Sequence, residues 1–159
     1  MTSDMIDLKR ILIPTDFSKF SKVALEYAAA LAEKFGSELF LLHVAQNLGV
    51  MIPDMVNVMP PILPPEEQMT AAVREALGRI IKESQLERFK VSPEVRQGTP
   101  FYEIIQLAKE KNIDLIVMGT HGHSGLVHVL MGSVTEKVVR KAPCPVLTVR
   151  HPEHEFIHP

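Results

Sequence analysis

The chain has 159 residues, 46% hydrophobic and 23% charged, with a formal net charge of −2. That length supports one domain with a real core rather than two, and the composition is that of an ordinary globular protein. The charge gives no general attraction to nucleic acid or anionic membrane, no Lys/Arg run of the DNA-binding kind occurs, and no apolar stretch approaches the roughly 20 residues of a membrane span.

The opening Met1-Thr2-Ser3-Asp4-Met5-Ile6-Asp7 has no basic region and no long apolar run, so a signal peptide is not expected. Arg10-Ile11-Leu12-Ile13-Pro14 is a short apolar run ended by proline, a first strand. Thr15-Asp16-Phe17-Ser18 is full of turn and capping residues, and either Asp16 or Ser18 can cap the next helix. From Lys19 to Phe35 the spacing is helical, with Val23, Tyr27, Ala28, Leu31 and Phe35 on one face and Gly36 as a stop. Glu38 to Val44 is a second strand, and its continuous apolar stretch suits a parallel strand covered on both faces.

The segment Ala45–Pro65 holds Pro53, Pro60, Pro61, Pro64 and Pro65, with Met51, Met55 and Met59 between them. Proline at that density disfavours a long regular helix, so a long surface excursion is expected, with room for one short helix around Pro53 to Asn57. Its methionines can pin the loop to its own domain or cover a ligand or partner. Glu66 to Arg88 is again helical, with Met69, Val73, Leu77 and Ile80 on a stripe. Phe89 to Arg96 is a weak third strand. Gly98-Thr99-Pro100 sets up a helix with Pro100 at its first position and Ile104, Ile105 and Ala108 facing the core.

Ile113 to Met118 is the fourth strand, and it runs straight into Gly119-Thr120-His121-Gly122. Gly132-Ser133 opens the last helix, where Ser133 at N-cap and Glu136 at N3 form a capping box. Cys144 is the only cysteine; it excludes an intramolecular disulfide, fits a reducing compartment and reads as a packing residue. Pro145 to Val149 is the fifth strand, and residues 151–159 are a flexible tail on a single domain spanning 1–150. The tail carries His151, His154 and His158.

Alternating strands and helices of this length imply a mostly parallel sheet with helices on both faces. Ligands in such folds bind at the carboxyl ends of strands where the winding direction reverses. Those ends are Pro14-Thr15-Asp16, Val44 and the glycine loop. A buried strand that ends in glycines and leads to a helix N-terminus is how α/β folds seat a phosphate; turns and a helix cap are the plainer explanation of the same residues. G-x-x-x-x-G-K-[ST] is absent, with Lys137 inside the final helix, and no G-x-G-x-x-G stands after the first strand. The chain therefore matches neither a P-loop NTPase nor a dinucleotide dehydrogenase. Asp16 can take a ribose hydroxyl, approach a phosphate-bound magnesium ion or cap the helix. The main chain of Val44 can meet an adenine edge. His121, His123 and His128 can donate beside a triphosphate or simply sit exposed in a loop. The sequence offers them no Cys or Glu partners nearby, which argues against structural zinc.

With these residues in hand, the chain resembles the universal stress protein family, specifically its ATP-binding branch. The likeness runs from Ile11-Leu12-Ile13-Pro14-Thr15-Asp16-Phe17-Ser18 to Pro145-Val146-Leu147-Thr148-Val149 and includes Leu41-Leu42-His43-Val44. The family signature G-x2-G-x9-G-[ST] fits at Gly119, Gly122, Gly132 and Ser133. The resemblance implies a Rossmann-like α/β fold: an open five-stranded parallel sheet in the order 3-2-1-4-5 with helices on both faces. It implies ATP with Mg as the ligand. Pro14, Thr15 and Asp16 would face ribose and adenine, with Asp16 near the metal, and Val44 would contact adenine. Met118, Gly119, Thr120, His121 and Gly122, continued by His123, Ser124 and Gly125, would enclose ribose and the nearer phosphates. Gly132, Ser133, Val134 and Thr135 would hold phosphates. Many family members pair as homodimers through the last strand, and the 45–65 segment varies widely among relatives.

The resulting expectation is a cytoplasmic, ATP-binding regulatory stress-response protein acting as a nucleotide-dependent switch. No base and no arginine finger stand near the motif, so hydrolysis would be slow or absent and no catalytic residue is assigned. Two alternatives stay open. One is an enzyme that hydrolyses ATP or transfers a phosphoryl or adenylyl group, with Asp16 and His121 or His123 supplying the chemistry. The other is a nucleotide-free homodimeric interaction module. Neither nucleic acid nor membrane is an expected partner, while an unidentified protein partner is compatible with the regulatory role.

Overall fold

Ile11, Leu12 and Ile13 are all wholly buried, a state that a strand reaches only with layers packed on both of its faces. In the computed structural model, which describes residues 6–46, 66–122 and 131–152, this strand is β1 (Arg10–Pro14), the centre of a five-stranded sheet. After it come α1 (Lys19–Phe35), β2 (Glu38–Ala45), α2 (Glu66–Glu83), β3 (Val91–Gln97), α3 (Pro100–Glu110), β4 (Leu115–Gly119), α4 (Ser133–Lys141) and β5 (Val146–Val149). The strands lie in the order β3-β2-β1-β4-β5, and every pairing is parallel. Ile13 pairs with Leu41 and Leu12 with Ile116, so the central three strands stack their most apolar residues in register. The expected α/β architecture and strand order are those found.

Each face of the sheet carries its own core. Ile11, Ile13, Leu39, Leu41 and Val117 meet Ala24, Leu25, Ala28 and Ala32 of α1 and Leu77 of α2. Leu12, Phe40, Leu42, Ile116 and Met118 meet Ile104, Leu107 and Ala108 of α3 and Val138 of α4. Alternation along each strand sends successive side chains to opposite faces, which is why two cores form from one sheet.

The buried face of α1 matches the expected one at Ala28, with Val23 and Leu31 packed partly buried against the core, and differs from it at Tyr27 and Phe35. Ser21, Ala24, Leu25, Ala28 and Ala32 face inward, while Tyr27 and Phe35 are 54% and 38% exposed. Small alanines let the helix lie close to the sheet, and the bulkier residues are displaced to its flanks. Gly36 ends α1 in the left-handed conformation (φ 69°), its N–H donating to the Ala32 carbonyl at 2.8 Å. The second helical stretch stops at Glu83, short of Arg88, and the chain turns through a 3-10 turn at Leu86–Arg88 that buries Leu86. Ile104, Ile105 and Ala108 of α3 are buried as expected, and Pro100 is its first residue.

At the sheet's lower rim the Asp114 carboxylate accepts the N–H groups of Lys9 and Arg10 at 2.9 and 2.8 Å, fixing where β1 begins. Cys144 lies near this rim; burial foremost, and the Asp114 charge after it, push its thiol above the ordinary range, so it stays a neutral packing group. Among the described residues no helix is long and apolar enough to cross a membrane. The expectations for residues 47–65, for His123, Ser124, Gly125 and His128, and for the tail beyond Pro152 fall outside the described residues.

Candidate functional site

The winding direction reverses between β1 and β4, and the carboxyl ends of those strands open a crevice at the upper rim. Its first wall is the turn after β1. Thr15 is held at every polar group. Its N–H donates to the Leu42 carbonyl at 2.8 Å, its carbonyl lies 2.9 Å from His43 Nδ1, and its hydroxyl accepts the Phe17 N–H at 3.1 Å. The Ser21 hydroxyl donates to the Ser18 carbonyl at 2.9 Å, so the 3.0 Å contact between Thr15 and Ser21 hydroxyls runs from Thr15 to Ser21.

Capping of α1 falls to Ser18, whose hydroxyl accepts the Ser21 N–H at 3.3 Å. Asp16 serves the residue before the helix: its Oδ1 accepts the Ser18 N–H at 3.0 Å. Its Oδ2 lies across Gly122, so close that a Cβ on Gly122 would sit 2.5 Å from it. Glycine at 122 is therefore what lets the loop after β4 pass the Asp16 carboxylate.

The second wall is that loop and the start of α4. The Gly132 N–H donates to the Thr120 carbonyl at 2.7 Å, closing the glycine loop on itself. Thr120 is fully engaged: its N–H donates to the Val149 carbonyl at 3.0 Å and its hydroxyl lies 3.0 Å from His121 Nδ1. His121 is buried, 8% exposed, rather than an exposed loop residue. A Cβ on Gly119 would meet the Phe20 carbonyl oxygen at 3.0 Å, so the missing side chain lets the end of β4 approach the α1 backbone closely.

The expected capping box at Ser133 is not formed. Gly132 is the N-cap, Ser133 is the first helical residue, and no side chain caps the helix. The internal ladder starts with the Glu136 N–H donating to the Gly132 carbonyl at 2.9 Å, so the N–H groups of Ser133, Val134 and Thr135 precede it. The Thr135 hydroxyl donates to the Gly119 carbonyl at 2.9 Å, which leaves its main-chain N–H as what it can offer an anion.

These walls enclose a cavity of about 520 Å³. Of the residues singled out from sequence, Pro14, Thr15, Asp16, Val44, Met118, Gly119, His121, Gly122, Gly132, Ser133, Val134 and Thr135 line it. Thr120 is not among the described lining residues; its groups tie the loop to β5 and α4 instead. Ser21, Leu42, His43, Gln46, Pro100 and Ile104 also line it and were not singled out. Pro100 and Ile104 were findable, because every strand-to-helix junction of a parallel sheet opens on the same rim. Leu42, Val44, Ile104 and Met118 give the cavity an apolar side that continues the core between sheet, α3 and α4. No Lys or Arg is among the described lining residues, and Asp16 is the one carboxylate.

The β3–α3 junction that carries Pro100 is braced by ion pairs. Arg96 pairs with Glu110 through both guanidinium nitrogens and reaches Glu103 at 3.6 Å. The Arg96 hydrogen bond, the leading cause, holds the Glu110 carboxyl below the usual carboxylate range.

The model of the universal stress protein family matches residues 7–150 of this chain. The universal stress protein MJ0531 of Methanocaldococcus jannaschii is 36% identical over 150 residues, 92% of this chain and 85% of that protein. Among solved structures, MJ0577 of the same organism aligns with a TM-score of 0.75 at 33% identity, covering 92% of this chain and 98% of that one. The universal stress protein UspA from Lactobacillus plantarum aligns at 0.72 with 28% identity, covering 91% and 99%.

Proposed function

The chain belongs to the universal stress protein family, and from that premise and the shape of its cavity we propose that it binds an adenine nucleotide, ATP with magnesium, as a regulatory switch. One observation carries this: α4 begins at the cavity with no side-chain cap, so its first-turn amides and the positive end of its dipole are left for an anion. The apolar side formed by Leu42, Val44, Ile104 and Met118 suits a flat base, and a volume of about 520 Å³ is that of a small-molecule site. Two more distant proteins that share the fold, at 23% and 21% identity, were solved in complex with cAMP and dAMP. Adenine as the base bound by this chain is our own inference.

Magnesium fits only as an ion brought in by the phosphates. Among the described lining residues Asp16 is the single carboxylate, and Mg²⁺ is ordinarily held by one or two carboxylates together with substrate phosphates. When bound, the ion would supply the positive charge that the wall lacks. Asp16, fixed by the Ser18 N–H, would orient it, and the α4 amides would hold the phosphate oxygens. No Lys or Arg is among the described lining residues to act as an arginine finger or charge clamp, which supports slow or absent hydrolysis and a role in signalling rather than turnover.

Isothermal titration with Mg-ATP tests the proposal on the wild type and on Gly122→Val and Gly132→Val. Valine at 122 displaces Asp16, and at 132 it presses on the Thr120 carbonyl, 3.3 Å from a Cβ. Wild-type binding that weakens at least about tenfold in both variants is the expected result; equal binding by all three would remove the glycine loop from the site.

A further inference from the structure

We infer that His43 is a positioning residue for this site: at the cavity wall, its Nδ1–H holds the Thr15 carbonyl and so fixes the turn that presents Asp16 to the cavity. This role rests on the nucleotide reading above. His43 itself lines the cavity, and strand alternation sets its side chain apart from those of Leu42 and Val44, which form the cavity's apolar side. The ring therefore braces the binding turn through the Thr15 carbonyl.

The chemistry of the contact is one-sided. The Thr15 carbonyl can only accept, so at 2.9 Å Nδ1 is the protonated nitrogen and the tautomer is set. The other polar groups of Thr15 are committed to Leu42, Phe17 and Ser21, which leaves its carbonyl as the last point at which the turn could rock. The next residue but one completes the brace. Phe17 is a non-glycine residue with φ 65°, a left-handed conformation that persists only where surroundings hold it. Its ring covers the imidazole with centroids 4.5 Å apart. Asp16 is thus flanked by one residue whose carbonyl His43 grips and another whose ring His43 supports. A carboxylate that must meet ribose or a metal within a fraction of an ångström depends on such backing.

The test compares His43→Leu with His43→Asn in the full-length protein. Asparagine carries its Nδ2 at the same place along the side chain as Nδ1 of histidine, so it restores the donor without the ring. Mg-ATP affinity should fall on the order of tenfold in His43→Leu and return to within about threefold of wild type in His43→Asn. A role confined to packing would leave both variants equally impaired, and that result overturns the inference, as does wild-type affinity in His43→Leu. If His43→Leu does not fold, ring 15N correlation spectra of the wild type in alkaline buffer decide. A protonated Nδ1 and a bare Nε2 are expected; the opposite tautomer overturns the inference. Failure of the wild type itself to bind Mg-ATP would remove the nucleotide reading, whereas loss of the His43 effect alone leaves that reading standing.

Discussion

Asp16 and Gly122 meet across the cavity from opposite ends of the chain, a carboxylate oxygen in the space where any other residue would carry its Cβ. That a glycine stood at 122 was legible in the sequence, as was its nearness to Asp16, because strand ends in parallel sheets converge. Which polar groups are already spent was not legible. Thr120 belongs to the same loop as Gly119 and Gly122, yet its polar groups serve Val149, Gly132 and His121. Commitments of that kind depend on tertiary geometry that no local spacing encodes. The Arg96–Glu110 pair belongs to this scale too. Its carboxyl lies below the ordinary range, so the pair adds stability above the pKa of the unfolded carboxylate, about 4.3, and loses it as pH falls through the lower folded value. Arg96→Met should move the Glu110 titration midpoint, tracked by carboxyl 13C shifts, back toward the ordinary value. An unchanged midpoint would show that Arg96 is not what holds it down.

Elements were legible in proportion to how completely they are buried. β1, β2 and β4 are unbroken apolar runs and could be read directly, whereas the α1 face could be read only in part. Its inner surface is mostly alanine and serine, residues that carry little hydrophobic signal, and the aromatic residues that do carry it sit on the flank. The two edge strands differ in a way that bears on assembly. β3 contains Pro93, Glu94 and Arg96, which blunt an edge by removing a donor and adding charge. β5 reads Val-Leu-Thr-Val, with neither proline nor charge. We propose that the protein pairs as a homodimer through β5. Pro145 and Val149 turn their carbonyls to β4, so Thr148 faces outward; Thr148→Pro, which deprives that edge of a donor, should shift the light-scattering mass from twice the chain's 17.8 kDa toward a single chain. A wild type that already runs as a monomer would refute the pairing.

At the scale of the whole molecule, the parallel sheet gathers four strand-to-helix junctions on one rim and leaves the Asp114 rim to structural hydrogen bonds and a neutral Cys144. The upper rim holds main-chain amides, one carboxylate, a buried histidine and an apolar side, with no lysine or arginine among the described lining residues. On our proposal, recognition of phosphate there would fall to backbone geometry rather than to side-chain charge, and backbone geometry is what glycine spacing encodes. This is why residues that line the cavity could be singled out from sequence while the contact between His43 and Phe17 could not: neither residue type at its position carries a mark of the contact it makes.

Backbone 1H–15N spectra recorded during titration with Mg-ATP test the amide cradle most directly. The largest shifts should fall on Gly122, Ser133, Val134 and Thr135, with Val44 moving next as the base seats and with the amides of Lys9 and Arg10 at the far rim unmoved. Saturating Mg-ATP that leaves the α4 amides in place, or that moves only the opposite rim, would contradict the phosphate site.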